Sequence, residues 1–530
     1  MSIPKNNPTE TLSWKQIQQH FYDMQFVKMQ DMFAANENRT KELSIKWNDF
    51  LFDFSKNRIT TETLDLLCKL ANEVSLKEGI NALVNGNVIN ETEGRRVLHT
   101  DLRKPNELRS TEVAKALEQM RLFTNKVIGG ELKGTSGKVF TDIVNIGIGG
   151  SDLGPKLVTE ALADYKNHLN VHYISNIDND SIECLKKKLN PETTLLVVVS
   201  KSFTTLETIS NADIFKKWLL EHNLKTQDHL VSVSSNNAEA IKYGIDEANI
   251  FPMWDYVGGR FSLWSTVGLS TALAIGYDQF EELLQGAYEM DEHFINSNFN
   301  ENIPVILALL SIWYNNFYCF ETEAIIPYVD KLKMLPAYLQ QVIMESNGKN
   351  VDRLGKHVNY ETGTIVWGEV GTNSQHAFFQ LFHQGTKIIP TDFIGFINPY
   401  YQSDLHDLFM ANFFAQTEAL MNGKEGKYHG DDSSDKNAVY KEFTGNRPSN
   451  TILISKLTPK SLGSLLAMYE HKTFVQGYIW NIYSFDQFGV EYGKVLANNI
   501  KAELESKAIK EHDCSTTYLL NYYLQNKNAH

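Results

Sequence analysis

One stretch of the chain decides the fold class: residues 195–208 read LLVVVSKSFTTLET. The apolar run from Leu195 to Val199 predicts a strand that is buried on both faces, as in a parallel sheet. The polar residues that follow lead into a run, 206–220, whose pattern is compatible with a helix. A strand, a polar loop and a helix in this order are typical of a doubly wound α/β protein.

The polar loop is a candidate phosphate site. It lies between the carboxyl end of a strand and the amino end of a helix, where free N–H groups and the helix dipole favour an anion. Four hydroxyl residues surround Lys201, which adds a positive charge: Ser200, Ser202, Thr204 and Thr205. On this segment alone, a hydroxyl-rich helix cap remains an alternative interpretation.

The composition is that of a folded globular protein. Hydrophobic residues make up 42% and charged residues 22% of the chain, which argues against disorder, and we find no apolar run long enough to cross a bilayer. A formal net charge of -14 argues against nucleic acid as a partner, because phosphate-backbone binding needs clustered basic residues. The start of the chain lacks the features of a signal peptide, so we expect a cytoplasmic location.

Neither cysteines nor histidines form a metal-binding pattern. The four cysteines lie far apart without a CxxC pair, so we predict that they are reduced and mostly serve packing: Cys68, Cys184, Cys319 and Cys514. No HExxH motif occurs either. We therefore expect no metal ion.

Patterns along the chain predict four parts. Residues 1–120 carry helical patterns with almost no convincing strand, and form a helical N-terminal region. Residues 121–290 and 291–500 each alternate strand-like and helix-like runs, which predicts two doubly wound parallel sheets. Residues 501–530 are expected to form a helical tail.

Eight runs are strand candidates. Four lie in the first α/β part, at residues 142–146, 171–177, 195–199 and 229–233. Four lie in the second, at residues 324–329, 364–367, 387–390 and 451–455. The polar segment GDDSSDK, residues 430–436, is expected to be a loose surface loop.

A glycine-rich loop follows the first of these strands. Residues 142–155 read DIVNIGIGGSDLGP, and the glycines up to Gly150 let the backbone approach a ligand closely, with Ser151 near the start of the next helix. The motif fails as a dinucleotide fingerprint, because Asp152 occupies the position of its third glycine. Asp178 after the next strand keeps a nicotinamide site open as an alternative.

A second glycine loop carries an arginine. Residues 255–268 read DYVGGRFSLWSTVG, so Arg260 follows two glycines that allow a kinked backbone. An arginine aimed into a cleft is suited to stabilising developing negative charge. The alternative is an arginine that braces a turn against a carboxylate.

Glu345 is a candidate general base. A helix predicted from about 335 to 346 stops at Gly348, which places Glu345 in its last turn. The negative end of the helix dipole disfavours a carboxylate there, and such a local conflict often marks a functional residue. Greater affinity for a proton suits a base that works near neutral pH. The alternative is an exposed glutamate at a frayed helix end.

His376 and Lys494 are further candidates. In GTNSQHAFFQ, Asn373 or Ser374 is expected to cap a helix whose first turn contains His376. The dipole there favours the neutral imidazole, which can exchange protons. Lys494 is predicted near the start of another helix, where its charge is unfavourable unless an anion lies beside it. Taken alone, the histidine also fits a structural role and the lysine a place on the surface.

Together these motifs resemble the glucose-6-phosphate isomerase family. The similarity runs in order over about 400 residues and includes NETEGRRVLHTDLR, IGIGGSDLGP, SKSFTT, DYVGGRFSLWS, QQVIMESNGK, WGEVGTNSQHAFFQLFHQG and GYIWNIYSFDQFGVEYGK. It implies two doubly wound parallel-sheet sugar-isomerase (SIS-type) subdomains. It also implies a cytosolic enzyme that interconverts glucose 6-phosphate and fructose 6-phosphate in glycolysis and gluconeogenesis, a reaction that needs no redox cofactor.

The resemblance implies roles for the candidate residues. Glu345 matches the base that moves a proton between C1 and C2 through a cis-enediol, and Arg260 matches the group that stabilises the enediolate. His376 and Lys494 match the residues that open the sugar ring. Family members are typically homodimers in which the partner subunit supplies this histidine. The phosphate is expected on Ser200, Ser202 and Thr205 beside Lys201, and the sugar on Gly150, Ser151, Gln341 and Gln487.

Two departures from the family pattern are visible. Ser202 replaces a commoner threonine and keeps the hydroxyl, whereas Leu206 stands where members often carry glutamine. Neither departure removes a reacting group. Two rival functions remain open: a non-catalytic sugar-phosphate sensor, which would not need Glu345, and a nicotinamide oxidoreductase, against which Asp152 speaks.

Overall fold

The computed structural model describes residues 3–424 and 437–527. The chain divides into two compact units, residues 1–484 and residues 485–530. The surface loop predicted at residues 430–436 lies outside the described residues.

The strands of the described residues all belong to the first unit and form two sheets. In chain order they are β1 (Ser44–Trp47), β2 (Phe50–Asp53), β3 (Asp142–Ile146), β4 (Asn170–Ile174), β5 (Thr194–Val199), β6 (Leu230–Ser234), β7 (Ile250–Pro252), β8 (Thr322–Pro327), β9 (Ile365–Gly368), β10 (Thr391–Asn398) and β11 (Ser449–Lys456). The two sheets confirm the doubly wound α/β class that the opening motif predicts.

The first sheet has the order β4-β3-β5-β6-β7, and all neighbouring strands are parallel. Every residue of the central strand β5 is buried, as its unbroken apolar run predicts. The four strands predicted for this sheet are confirmed to within three residues at their ends. The sequence did not indicate β7, which has only three residues, ends in a proline and lies at the sheet edge.

The second sheet has the order β1-β2-β11-β10-β8-β9 and is mixed. β9, β8, β10 and β11 are parallel neighbours, whereas β1 and β2 form an antiparallel pair that joins the sheet beside β11. The prediction that residues 1–120 contain almost no strand is therefore wrong. The short runs SIKW and FLFD form strands by pairing with a segment far along the chain, which no local pattern can indicate.

The prediction of a strand at residues 387–390 is also wrong. The strand in this region is β10, which begins immediately after Pro390. Proline has no N–H group to donate within a sheet, so the chain enters the sheet only beyond it. Asp392 interrupts the apolar pattern of β10, but its buried carboxylate accepts a hydrogen bond from Tyr469 Oη at 2.9 Å.

Helices make up most of the remaining regular structure. Before β8 the α-helices are Leu12–Met24, Met29–Ala35, Arg39–Glu42, Thr61–Glu73, Leu76–Val84, Thr111–Ile128, Leu153–Ala161, Asn179–Lys186, Leu206–Glu221, Asn237–Tyr243, Leu269–Ile275, Tyr277–Asn296 and Ile303–Ile312. After β8 they are Leu335–Leu339, Gly371–Ala377, Phe379–Gln384, Asp404–Asn422 and Pro459–Ile479. In the second unit they are Glu491–Ser506 and Cys514–Asn526.

The helix Pro459–Ile479 is the centre of the first unit. Nearly all of its residues are buried, including charged ones, and it packs closely on the helix Tyr277–Asn296. A Cβ atom on Gly463 would lie 2.0 Å from the carbonyl oxygen of Leu283, so the two helices can approach this closely only with glycine there. We call Pro459–Ile479 the central helix.

All four cysteines are free. Cys68 is half-buried, whereas Cys184, Cys319 and Cys514 are exposed, so the prediction that they mostly serve packing is wrong for three of the four. Cys319 has a positive φ of 57°, and Cys514 begins a helix.

Candidate active site

The two glycine loops meet at the carboxyl edge of the first sheet. The turn Gly149–Ser151 follows β3, and Gly259 begins a turn after β7. A Cβ atom on Gly150 would lie 2.0 Å from the carbonyl oxygen of Gly259, so this contact requires glycine. A Cβ atom on Gly149, whose φ is 60°, would lie 3.1 Å from Gln341 Nε2. The contacts therefore bring both loops and Gln341 to one place.

The guanidinium group of Arg260 lies at the same place. Its side chain is fully buried. Nε donates to Ser346 Oγ at 2.7 Å, and Nη2 donates to the carbonyl oxygen of Ser484 at 2.6 Å. Nη1 lies 3.3 Å from Glu345 Oε2. Arg260 thus contacts the carboxylate of the candidate base.

Glu345 lies in a helical segment of unusual geometry. The α-helix Leu335–Leu339 continues as a π-helical segment, Gln340–Glu345, a rare form that is frequently found at functional sites. The Glu345 side chain is 21% exposed, so a ligand can reach it. Its Oε2 atom accepts a hydrogen bond from Gln341 Nε2 at 3.2 Å. The structure therefore brings Glu345, Gln341 and Arg260 together.

The helix ends where the sequence predicts, immediately before Gly348. Lys349 Nζ donates to the carbonyl oxygens of Glu345 at 3.2 Å and Ser346 at 2.8 Å. Its positive charge offsets the negative end of the helix dipole. The electrostatic conflict that singled out Glu345 in the sequence is therefore partly relieved by a neighbouring lysine.

Residues 200–205, which we call the hydroxyl loop, connect β5 to the helix Leu206–Glu221. Ser200 Oγ donates to Thr205 Oγ1 at 3.1 Å, and the hydroxyls of Ser202 and Thr204 lie 2.7 Å apart. Thr205 is the residue before the helix, yet within the described residues its side chain does not bond the first N–H groups. The structure thus does not support the helix-cap interpretation at Thr205.

Lys201 contacts the chain that leads to the second glycine loop. Its Nζ atom donates to the carbonyl oxygens of Asp255 at 3.3 Å and Val257 at 3.2 Å, and lies 3.4 Å from the Asp255 carboxylate. Burial lowers the pKa of Lys201, and Asp255 opposes this effect. The lysine therefore links the hydroxyl loop to the segment before Arg260 as well as adding charge.

Asp152 is buried at the start of the helix Leu153–Ala161, with only 5% of its surface exposed. Burial raises the pKa of its carboxyl group to about 6, and Lys156 only partly offsets this effect. A buried acid at this position is a poor neighbour for a pyrophosphate, as the sequence indicated.

The helix prediction around His376 is wrong. The helix Gly371–Ala377 begins before Asn373 and Ser374, so His376 lies in its last turn instead of its first. Ser374 Oγ donates to the carbonyl oxygen of Gly371 and caps no helix. His376 is exposed, and among the described residues no hydrogen bond or ion pair joins it to Glu345 or Arg260.

Gln487 and Lys494 belong to the second unit. Gln487 immediately precedes the 3-10 turn Phe488–Val490, and Lys494 lies in the first turn of the helix Glu491–Ser506. The prediction that Lys494 is near a helix start is confirmed.

Two residues of the site were missed in the sequence. Ser346 and Ser484 both hold the guanidinium group of Arg260. Ser346 could have been noticed, because it is the polar neighbour of Glu345, but Ser484 acts through its carbonyl oxygen, which no side-chain pattern signals. We call Arg260, Gln341, Glu345, Ser346 and Ser484 the carboxylate–guanidinium centre.

The described residues contain no group of three or more His, Cys, Asp or Glu side chains that could hold a metal ion. In the same part of the chain, we find no helix with the length and apolar character needed to span a membrane.

Two doubly wound sheets, with a carboxylate against a guanidinium group at the edge of one of them, define an α/β protein of the sugar-isomerase class. A family model described as phosphoglucose isomerase matches residues 53–520. The chain belongs to this family.

Relatives of known name agree with this assignment. The chain is 55% identical over 538 residues to a curated glucose-6-phosphate isomerase from Christiangramia forsetii, covering 98% of this chain and 99% of that protein. A crystal structure of a glucose-6-phosphate isomerase from Chlamydia trachomatis matches with a TM-score of 0.86 and 33% identity, over 98% of this chain and 100% of that one. A hypothetical protein from Thermus thermophilus matches with a TM-score of 0.66 and 26% identity, over 84% of this chain and 98% of that one.

Family membership decides between the functions that the sequence left open. The chain is an isomerase that interconverts glucose 6-phosphate and fructose 6-phosphate in glycolysis and gluconeogenesis. The sensor and the nicotinamide oxidoreductase are thereby set aside.

Proposed function

We propose that Glu345 is the general base of this isomerisation and that Arg260 stabilises the charge that develops in the sugar. The observation that carries the proposal is the distance of 3.3 Å between Arg260 Nη1 and Glu345 Oε2. A carboxylate and a guanidinium group this close can face one six-carbon molecule. The partial exposure of Glu345 leaves it accessible to that molecule.

The reaction moves one proton between neighbouring carbons of the open sugar. Glu345 takes the proton from C2 of the aldose, and the electron pair left behind forms the C1–C2 double bond of a cis-enediolate. The negative charge moves to the carbonyl oxygen, where Arg260 meets it. The proton then returns to C1, the O2 hydroxyl group gives up its proton as the C2 carbonyl forms, and O1 takes up a proton. The product is the ketose, and no electrons leave the sugar.

Glu345 and Arg260 are expected to supply only part of the rate enhancement. General base catalysis supplies about 10²- to 10⁴-fold, and one well-placed donor to an oxyanion supplies about 3 to 4 kcal/mol. Positioning of the sugar by its distant phosphate supplies much of the remainder. The hydroxyl loop binds this phosphate through Ser200, Ser202 and Thr205 beside Lys201, and the sugar contacts Gly150, Ser151, Gln341 and Gln487.

His376 and Lys494 open the sugar ring, and His376 acts in the site of the partner subunit of a homodimer. The exposure of His376, without a bond to Glu345 or Arg260 among the described residues, supports its use by a second copy. The glycolytic role of the family supports a cytoplasmic location.

The experiment that tests the proposal is turnover of fructose 6-phosphate in deuterated water by the wild type and by Glu345→Gln. Wild-type protein should produce glucose 6-phosphate partly labelled at C2, because a proton held on Glu345 exchanges with solvent. Glu345→Gln should lose about 10²- to 10⁴-fold in kcat while it still binds fructose 6-phosphate. Glu361→Gln, at an exposed position after the same helix, is the control. Unchanged turnover in Glu345→Gln would refute the base assignment.

A further inference from the structure

A fully buried carboxylate in the central helix joins several elements of the first unit. Glu470 has only 1% of its surface exposed. Its Oε2 atom accepts a hydrogen bond from Arg103 Nη1 at 2.6 Å. Its Oε1 atom accepts two hydrogen bonds, from Trp264 Nε1 at 2.9 Å and from Tyr338 Oη at 3.2 Å. We call these four residues the Glu470 cluster.

Arg103 holds the carboxyl group of Glu470 in place and opposes the effect of burial on it. The other side of its guanidinium group binds Asp291 through Nε at 2.8 Å and Nη2 at 2.7 Å. The guanidinium carbon also lies 4.9 Å from the ring centre of Trp264. Burial raises the pKa of Glu470, and Arg103 is the largest opposing influence. Arg103 therefore fixes the orientation of the Glu470 carboxyl group, and two hydrogen bonds to Asp291 fix Arg103.

The two donors to Oε1 belong to the two segments that carry the proposed reacting groups. Trp264 lies four residues after Arg260 in the second glycine loop. Tyr338 lies seven residues before Glu345, in the α-helix that continues as the π-helical segment. One carboxylate oxygen therefore ties the segment of the guanidinium group to the segment of the base.

The central helix holds the base segment at its other end as well. Asn347, two residues after Glu345, donates from Nδ2 to the carbonyl oxygen of Thr473 at 3.0 Å. Asn347 Oδ1 accepts from Ser484 Oγ at 2.7 Å, and the carbonyl oxygen of the same Ser484 binds Arg260. The base segment is therefore bound to the central helix on both sides of Glu345.

We propose that Glu470 is a positioning residue for the isomerisation: it sets the separation of Arg260 and Glu345 by binding Trp264 and Tyr338 with one oxygen atom. The inference rests on the proposed roles of Arg260 and Glu345. Glu470 does not touch the sugar itself. It acts through the two segments that carry Arg260 and Glu345.

Loss of one of these hydrogen bonds should lower kcat more than it raises KM. The hydroxyl loop, which is proposed to bind the phosphate, belongs to neither segment, so binding of the phosphate group depends little on the cluster. The enediolate, in contrast, needs Arg260 and Glu345 in one geometry, and small misplacements of reacting groups have large effects on rate.

The test compares two tyrosine variants of the full-length enzyme, Tyr338→Phe and Tyr469→Phe. Both tyrosines are buried, and each donates a hydrogen bond to a buried carboxylate; Tyr469 precedes Glu470 and binds Asp392 instead. Both variants should melt at a lower temperature than the wild type. Tyr338→Phe should lose about tenfold in kcat with KM within about twofold, whereas Tyr469→Phe should keep both constants.

A kcat of Tyr338→Phe within about twofold of the wild type, or equal losses of kcat in both variants, would overturn the positioning role. Trp264→Phe provides the same measurement should Tyr338→Phe not fold. In the variant that carries both Trp264→Phe and Tyr338→Phe, the loss of kcat should be smaller than the product of the two single losses, because both donors serve the same oxygen. A loss equal to that product would mean that Trp264 and Tyr338 act independently and not through one oxygen atom of Glu470.

The test of Glu470 and the test of Glu345 can fail independently of each other. If Glu345→Gln retains turnover, the base assignment is wrong whatever the tyrosine variants show. If Glu345→Gln is inactive and Tyr338→Phe turns over like the wild type, the base assignment stands and only the role of Glu470 is wrong.

Discussion

The carboxylate–guanidinium centre and the hydroxyl loop differ in where their hydrogen-bond partners come from. Arg260 binds Ser346, 86 positions along the chain, and Ser484, 224 positions along the chain. In the hydroxyl loop, Ser202 and Thr204 are bonded to each other at a separation of two positions. The guanidinium group of the centre is therefore held by distant parts of the chain. The hydroxyl groups of Ser202 and Thr204 bond within the loop, whereas Lys201 and the backbone of the loop also contact later segments.

The two regions also differ in burial, and this difference sets what a substitution does. The side chain of Arg260 is fully buried, whereas Ser202 and Thr204 are exposed. Removal of a buried partner leaves a polar group unsatisfied, at about 1 to 3 kcal/mol, whereas water replaces an exposed hydroxyl. Changes in the centre should therefore lower stability and turnover together, and changes of Ser202 or Thr204 should alter ligand binding alone.

Among the changes that distinguish the two regions, Arg260→Lys has the largest expected effect. Lysine keeps the charge but lacks the planar fork that reaches Ser346, Ser484 and Glu345 at once. We expect kcat to fall by about 10²- to 10³-fold and the melting temperature to fall as well. Steady-state kinetics and thermal unfolding check both parts.

Arg353→Lys is the matched control for this prediction. Arg353 is also buried, donates from Nε to Asn481 Oδ1 at 2.9 Å and lies 4.5 Å from the ring centre of Tyr478. Its replacement should lower the melting temperature with kcat within about threefold of the wild type. Similar losses of kcat in both variants would mean that Arg260 contributes only to the stability of the folded protein and not to the reaction itself.

The same difference explains which parts of the site could be predicted from the sequence. The hydroxyl loop and the glycine loops are continuous motifs, so their residues could be named before the structure was known. Glu345 could be found from the end of its helix. The carbonyl oxygen of Ser484 and the hydrogen bonds of Glu470 could not, because they join segments that only the complete fold brings together.

The fold was predictable to a similar extent. Strands with long apolar runs, such as β5, were located to within a residue or two. β1 and β2 were missed because four residues carry little periodicity and their pairing partner is distant. β10 was misplaced because a buried aspartate interrupts its pattern, and the hydrogen bond from Tyr469 that makes this burial tolerable is likewise a long-range contact.

An intermediate effect is expected in the hydroxyl loop itself, from Ser202→Ala. Loss of one hydrogen bond to a charged phosphate should raise KM for fructose 6-phosphate by about tenfold. The melting temperature should stay unchanged, because the hydroxyl is exposed. Steady-state kinetics and thermal unfolding measure the two quantities.

Ser235→Ala is the control for the loop. Ser235 is exposed too, and its hydroxyl donates to the carbonyl oxygen of Lys201 at 2.7 Å without belonging to the loop. It should leave KM unchanged. A lower melting temperature in Ser202→Ala, without a change in KM, would contradict the view of the loop as a locally organised binding element.

The smallest expected effect concerns Asp152, which is close to the glycines of its loop in sequence but buried like the centre. Burial raises the pKa of its carboxyl group from the ordinary 3.8 to about 6. The folded protein then holds this proton more tightly than the unfolded chain does, so the free energy of unfolding should fall as pH rises from about 4 to about 6 and stay lower above that range. The loss attributable to this one group is at most about 3 kcal/mol.

Asp152→Asn removes the titration and should raise the melting temperature at pH 8 but not at pH 4, with the difference appearing between these values. Asp330→Asn, at an exposed aspartate, should show no such dependence on pH. A melting temperature of Asp152→Asn that differs from that of the wild type by the same amount at every pH would mean that the carboxylate of Asp152 is solvated in the folded protein. In that case, Asp152 in the glycine loop would be as accessible to water as the exposed hydroxyls of the hydroxyl loop, and the two loops would not differ in burial.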